Sequence, residues 1–110
     1  MAAERNIDIY QGDTYVHQLS LKNSSNAVIN ISSRTYAGQV RKRRSSDTIT
    51  ATFTTEITDG ANGVVVFNLT PGVTANIASG SYVYDFQETN GAVVTTLLAG
   101  NVVVIAQVTR

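Results

Sequence analysis

The sequence predicts an all-β chain, an antiparallel sandwich of seven to eight short strands with one short connecting helix near residues 70–79. Three observations carry this. Apolar residues alternate with polar ones at a period of two in segment after segment. Turn clusters rich in Gly, Asn, Asp and Ser separate those segments about every ten residues, a spacing typical of sandwiches. Only one stretch, after Thr70-Pro71, carries helix-start chemistry, so alternating βαβ units are excluded.

The elements follow in order. Asn6 to Tyr10 places Ile7 and Ile9 on one face with Asp8 between them, and Gln11-Gly12-Asp13 breaks the run. Thr14 to Leu21 puts Tyr15, His17, Leu19 and Leu21 on one side and Val16, Gln18 and Ser20 on the other. Lys22 to Asn26 reads as a polar loop, and Val28 to Ile31 as a short extended piece. Thr35 to Arg43 is the next strand, with Tyr36, Gly38, Val40 and Lys42 sharing a face, and Ser45-Ser46-Asp47 turns the chain. Thr48 to Thr55 alternates Ile49, Ala51 and Phe53 against a row of threonines, as expected of a sheet with one solvated face.

Thr58 to Gly63 is a turn of residues that accept the left-handed conformation, and Val64 to Leu69 is the strand after it. Thr70 as N-cap, Pro71 at the first helical position, Val73 and Ile77 four apart and Gly80 as a stop predict about two helical turns crossing from one sheet to the other. The last thirty residues predict a three-stranded meander. Its pieces are Ser81 to Gln87, a tight turn at Asn90-Gly91, a run from Ala92 to Leu98, a break at Gly100-Asn101, and a final run from Val102 to Thr109. At 110 residues the expectation is one domain, 1–110, large enough for a two-layer core.

Composition narrows function. With no Cys there is no disulfide framework and no thiolate chemistry. Met1 to Arg5 lacks the basic and apolar regions of a secretory signal, and no apolar run approaches the ~20 residues that span a bilayer, so a protein made in a cytoplasm and not membrane-bound is expected. A net charge of zero argues against nucleic-acid binding by bulk electrostatics and favours association, since self-repulsion is absent.

Candidate chemistry is sparse. His17 is the only His, without a second His four positions away or any Cys, so no metal site and no cofactor is expected; it reads as a ring packed at a strand edge. No Gly-x-Ser-x-Gly elbow is present to expose a nucleophile. Asp8 with Asp13, or Asp85 with Glu88, could form an acid–base pair, but solvated strand faces, a Gly turn and a hairpin tip explain all four. No enzyme is expected. Arg41-Lys42-Arg43-Arg44 holds four of the eight basic residues. On a strand successive side chains point to opposite faces, so the run divides into two pairs, and it reads as a solvated strand end or as donors to an acidic partner. Val102 to Ile105 and Val64 to Phe67 are apolar on both faces, so each is either central or covered by another molecule. Arg41, Lys42, Arg43, Arg44, Val103 and Ile105 are therefore candidate partner-binding residues. Tyr82 and Tyr84 share a face and read first as core residues, with stacking on a sugar as the alternative. The Asn-x-Ser/Thr triplets at Asn23, Asn30 and Asn68 carry no weight in a chain this rich in these residues.

A family resemblance spans most of these passages. Ile7 to Tyr15, with Gln11-Gly12-Asp13-Thr14 at its centre, Val28 to Ser33 before Tyr36 to Arg41, Gly80-Ser81-Tyr82-Val83-Tyr84-Asp85, Leu98 to Val102, and Val108-Thr109-Arg110 resemble small virion structural proteins of tailed bacteriophages. They are similar to the N-terminal β-sandwich module of baseplate upper proteins and of related tail and neck proteins. Asn30 and Ile31 stand where that pattern has Asp and Leu, and Ser33 stands for its turn Gly. The resemblance implies an immunoglobulin-like or baseplate-upper-protein-like sandwich with an assembly role in the virion. Its partners would be other virion proteins and copies of itself, met through strand edges and apolar faces, with no catalytic residues carried over. Tail, baseplate or neck is the leading placement. A capsid decoration or cement protein, and a carbohydrate-binding adhesin using Tyr82 and Tyr84, are the alternatives.

Overall fold

The computed structural model describes residues 3–23 and 25–108. Among these residues eight strands form: β1 (Ala3–Glu4), β2 (Ile7–Tyr10), β3 (Tyr15–Ser20), β4 (Thr35–Arg41), β5 (Ala51–Asp59), β6 (Val64–Leu69), β7 (Gly80–Asn90) and β8 (Val93–Ile105), with a helix α1 (Pro71–Ala75) between β6 and β7. They follow one hydrogen-bonded path, β1-β8-β7-β4-β5-β6-β3, with β2 also on β8. The path folds into two layers at β5, whose Ala51–Phe53 segment pairs with β4 while Thr54 to Asp59 pairs with β6. The result is an all-β sandwich with a β1/β2-β8-β7-β4 layer facing a β5-β6-β3 layer. All pairings along the main path are antiparallel except at its N-terminal edge, where β1 and β2 run parallel to β8. Nearly the entire chain serves as the long connection that a parallel pair requires.

The core takes alternate residues from both layers: Ile7 and Ile9, Val40, Ala51 and Phe53, Val65, Phe67 and Leu69, Tyr82, Tyr84 and Phe86, and Val102 and Val104. Its centre is Phe67 of one layer stacked on Phe86 of the other, with ring centroids 4.0 Å apart and planes within 9°. Phe53 and Tyr84 meet Phe86 edge-on at 4.9 and 5.1 Å. The period of two therefore selects the inward set along most strands, as the sequence predicts.

Four expectations are corrected. The C-terminal region is a two-stranded hairpin, because β8 runs unbroken through Gly100-Asn101. Gly100 lies opposite Tyr84, and a Cβ there would collide with the carbonyl of Arg5. This Gly admits a close backbone approach and does not mark a turn. Thr109, at the end of the expected last strand, and Arg110 lie outside the described residues. The hairpin turn sits one residue later than expected: Asn90 pairs with Val93, and Gly91 (φ +63°) and Ala92 form the loop. A positive φ at the first loop residue alone is the type II′ requirement.

The strand expected over Thr48 to Thr55 is β5, which begins at Ala51 and extends to Asp59. Residues 42–50 form a loop instead, curled by the Arg41 guanidinium donating to Ser46 O at 2.6 Å, and Ile49 is left exposed. The helix is five residues and not two full turns, and Gly80 opens β7. Because α1 ends at Ala75, Val73 and Ile77 do not share its inner face; Thr74 and Ile77 are buried and Val73 is exposed. Thr74 Oγ1 accepts from Gly12 N at 3.1 Å and donates to Asp13 O at 2.8 Å, so the crossover holds the first turn. Val28 to Ile31 contributes a single bridge, Lys22 to Val28, and the buried Ile31.

Candidate functional site

The sheet pairings assemble a continuous outward face on the β1/β2-β8-β7-β4 layer. Residues opposite one another share a face, so register reads out its rows. One row is Glu4, Ala99, Asp85 and Gln39; the next holds Asn101, Val83 and Arg41; a third holds Asp8, Val103 and Ser81; Tyr10 and Ile105 follow. A groove of about 430 Å³ lies over β4 and β7, lined by Gln39, Arg41, Arg44, Val83, Asp85 and Gln87 among others.

Within this groove Arg41 is half-buried at the end of β4, and its Nη2 donates to Gln39 Oε1 at 2.9 Å. Arg44 reaches the same groove from the loop. Burial pushes the Asp85 carboxyl above its ordinary range, and the nearby Arg41 and Arg44 pull it partly back. The groove is thus a half-desolvated carboxylate beside two guanidinium groups, an arrangement suited to recognising charged and hydrogen-bonding groups. Three converging His, Cys, Asp or Glu side chains able to hold a metal do not occur among the described residues.

The basic run divides differently from the expected alternation. The chain leaves the sheet after Arg41, so Arg44 returns to the Arg41 side while Lys42 lies on the other, its Nζ 4.7 Å from the Tyr82 ring centroid. Arg43 is exposed on the loop. Val103 is 43 % exposed on the outward face and Ile105 is half-buried beside Tyr10, itself 52 % exposed. Their neighbours Val102 and Val104 are buried, so β8 is indeed apolar on both faces.

Tyr82 and Tyr84 are interior. Each is less than a tenth exposed, and their hydroxyls donate to Ala78 O and Arg5 O, both at 2.6 Å. No ring face is offered to a sugar: both rings belong to the core, the reading the sequence favoured, and the sugar-stacking alternative is corrected. Glu88 is corrected as well: it is buried and accepts from Tyr36 Oη at 2.7 Å and Arg34 Nη1 at 3.2 Å. The alternation Tyr82, Tyr84, Phe86, Glu88 already placed it on the inner face. Asp8 and Asp13 are exposed as expected. The contribution of Glu4 and Asp8 to one face with Arg41 is absent from any local motif, because two other strands, β8 and β7, lie between them in the sheet.

No protein-family model matches the chain, and no curated protein matches it. Among solved structures it is similar to the Lin-41 filamin domain, at 17% identity over 89% of this chain and 82% of that one, with a TM-score of 0.46. It is also similar to part of a family 123 glycoside hydrolase from Clostridium perfringens, at 12% identity over 94% of this chain and 23% of that one, with a TM-score of 0.41. At these TM-scores neither likeness carries an argument about this chain.

Proposed function

We propose that the protein is a non-enzymatic structural component of a bacteriophage virion, binding neighbouring virion proteins through the outside of its sandwich, in the tail, baseplate or neck. The observation that supports an outward-acting module is the open face of the β1/β2-β8-β7-β4 layer. It presents Tyr10, Val103 and Ile105 beside the Arg41, Arg44 and Asp85 groove, while the space between the layers is filled by the protein's own aromatic and aliphatic side chains. Apolar surface next to charged hydrogen-bonding groups is the composition of a protein interface. The virion setting rests on the sequence resemblance, whose passages fall on β2 and the Thr74-held turn, on β4, and on the β7–β8 hairpin. A capsid decoration role uses the same face with a different neighbour.

An antibody against the chain tests this on phage particles purified from the source strain. Labelling at the tail, baseplate or neck is expected. Labelling of the shell selects the decoration role, and absence of the chain from the particles by mass spectrometry refutes both.

A further inference from the structure

We infer that the outward face of the β1/β2-β8-β7-β4 layer binds a second copy of this chain, face to face about a two-fold axis parallel to the strands. The inference rests on the reading of this face as an assembly surface and names its partner. The argument is charge placement. One margin of the face is acidic, with Glu4 on β1 and Asp8 on β2 both exposed. The other margin is basic, with Arg41 closing β4 and Arg44 beside it. Two strands, β8 and β7, lie between and supply Ala99, Val83 and Val103, with the half-buried Asp85 of β7 beside the basic margin; two guanidinium groups against that one carboxyl leave the margin net positive. The margins are three strand spacings apart, about 14 Å, too far to neutralise one another within one copy.

A two-fold axis between β8 and β7 lays β4 of one copy over β1 and β2 of the other and keeps each residue at its own height along the strands. Arg41 stands in the Asn101 row, two residues from the Glu4 row and two from the Asp8 row, so it falls between the two acids of the second copy, about 6.6 Å along the strand from each. The same contact repeats on the other side of the axis, as a two-fold interface requires. Aligned strands are also the usual way that two sheets pack. A net charge of zero removes the general repulsion between copies.

Sedimentation of the full chain at low ionic strength tests this. A monomer–dimer equilibrium is expected, with the dissociation constant rising about tenfold or more as salt is raised past physiological levels. Arg41→Glu with Arg44→Glu, and separately Glu4→Lys with Asp8→Lys, should each give monomers. Mixed in equal amounts, the two variants should form a heterodimer, because both contacts are then again of opposite sign. Should the first variant lose its fold by circular dichroism, Arg44→Glu alone, an exposed loop change, should weaken the dimer about tenfold. A wild type that stays monomeric, variants that dimerise like the wild type, or a mixture that stays monomeric would overturn the inference. A monomeric wild type leaves the particle-labelling test untouched, so the two readings fail separately.

Discussion

His17 illustrates how a single side chain couples burial to pH. It lies on the edge strand β3 facing the core, with Nδ1 3.2 Å from Tyr15 Oη and its ring edge-on to Phe86 at 5.5 Å. Burial, and secondarily the positive charge of Arg5, push its imidazole below the usual value, so the folded protein holds it neutral. The unfolded chain binds the proton first as pH falls through about 6.5, so stability from this residue is present above that value and is lost as pH drops toward the lowered folded value. Urea midpoints measured between pH 8 and pH 5 should therefore fall, and His17→Gln should flatten that part of the profile. A profile unchanged by the substitution would contradict the assignment. Burial also pushes the Tyr84 phenol up to about 12, and raises Tyr36 further with the help of its hydrogen bond to Glu88, so both remain hydroxyl donors throughout this range. His17 as an edge-packed ring was legible from its alternation with Tyr15 and Leu19. The Glu88 cluster was less so, since Arg34 and Tyr36 reach it across 54 and 52 residues of sequence.

At the level of elements, β8 shows why a Gly-Asn pair can lie in a strand. The N-terminal segment docks in parallel along β8, with Arg5 N donating to Ala99 O at 2.9 Å and Asn6 Oδ1 accepting from Asn101 N at 3.1 Å. Gly100 leaves room for the Arg5 carbonyl, which in turn accepts from Tyr84. Gly100→Ala should force β1 and the Arg5 carbonyl away from β8 and cost about 2–4 kcal/mol, since a rigid backbone atom blocks the new methyl. Chemical denaturation and amide exchange check it, with loss of protection expected first at Arg5 and at β1. Gly91→Ala, at an open turn, tests the contrast: its Cβ meets nothing within 4 Å, and only its positive φ is strained. Helix α1 was legible at its start, through Thr70-Pro71, and misjudged at its end. Thr74 faces inward to hold Gly12 and Asp13 across more than sixty residues of sequence, a demand no local pattern records.

Across the whole molecule, the two layers are joined through one aromatic centre. Phe86 touches Phe67, Phe53, Tyr84 and His17, so removing its ring opens a void between layers that are also hydrogen-bonded through β5 and cannot simply close up. Phe86→Ala should cost about 3–5 kcal/mol, a large share of the 5–15 kcal/mol typical of a domain. The urea midpoint should fall with an unchanged slope; a loss below 1 kcal/mol would mean that the stack does not bear the packing assigned to it. The outer face belongs to this scale too. Glu4, Asp8, Arg41, Asp85 and Val103 come from five strands and form one surface only after β1 and β2 have docked beside β8.

Alternation was enough to determine that the chain is all-β and, along most strands, which side chains enter the core, and the Thr70-Pro71 pair determined where the helix begins. These depend on neighbours within a few residues, and a pleated backbone imposes them locally. Tertiary structure alone decided that β2 runs parallel to β8, that Gly100 is a contact and not a corner, and that acidic and basic margins share a face. Each of these depends on which distant strand lies alongside, and that is settled by the combined packing of both layers.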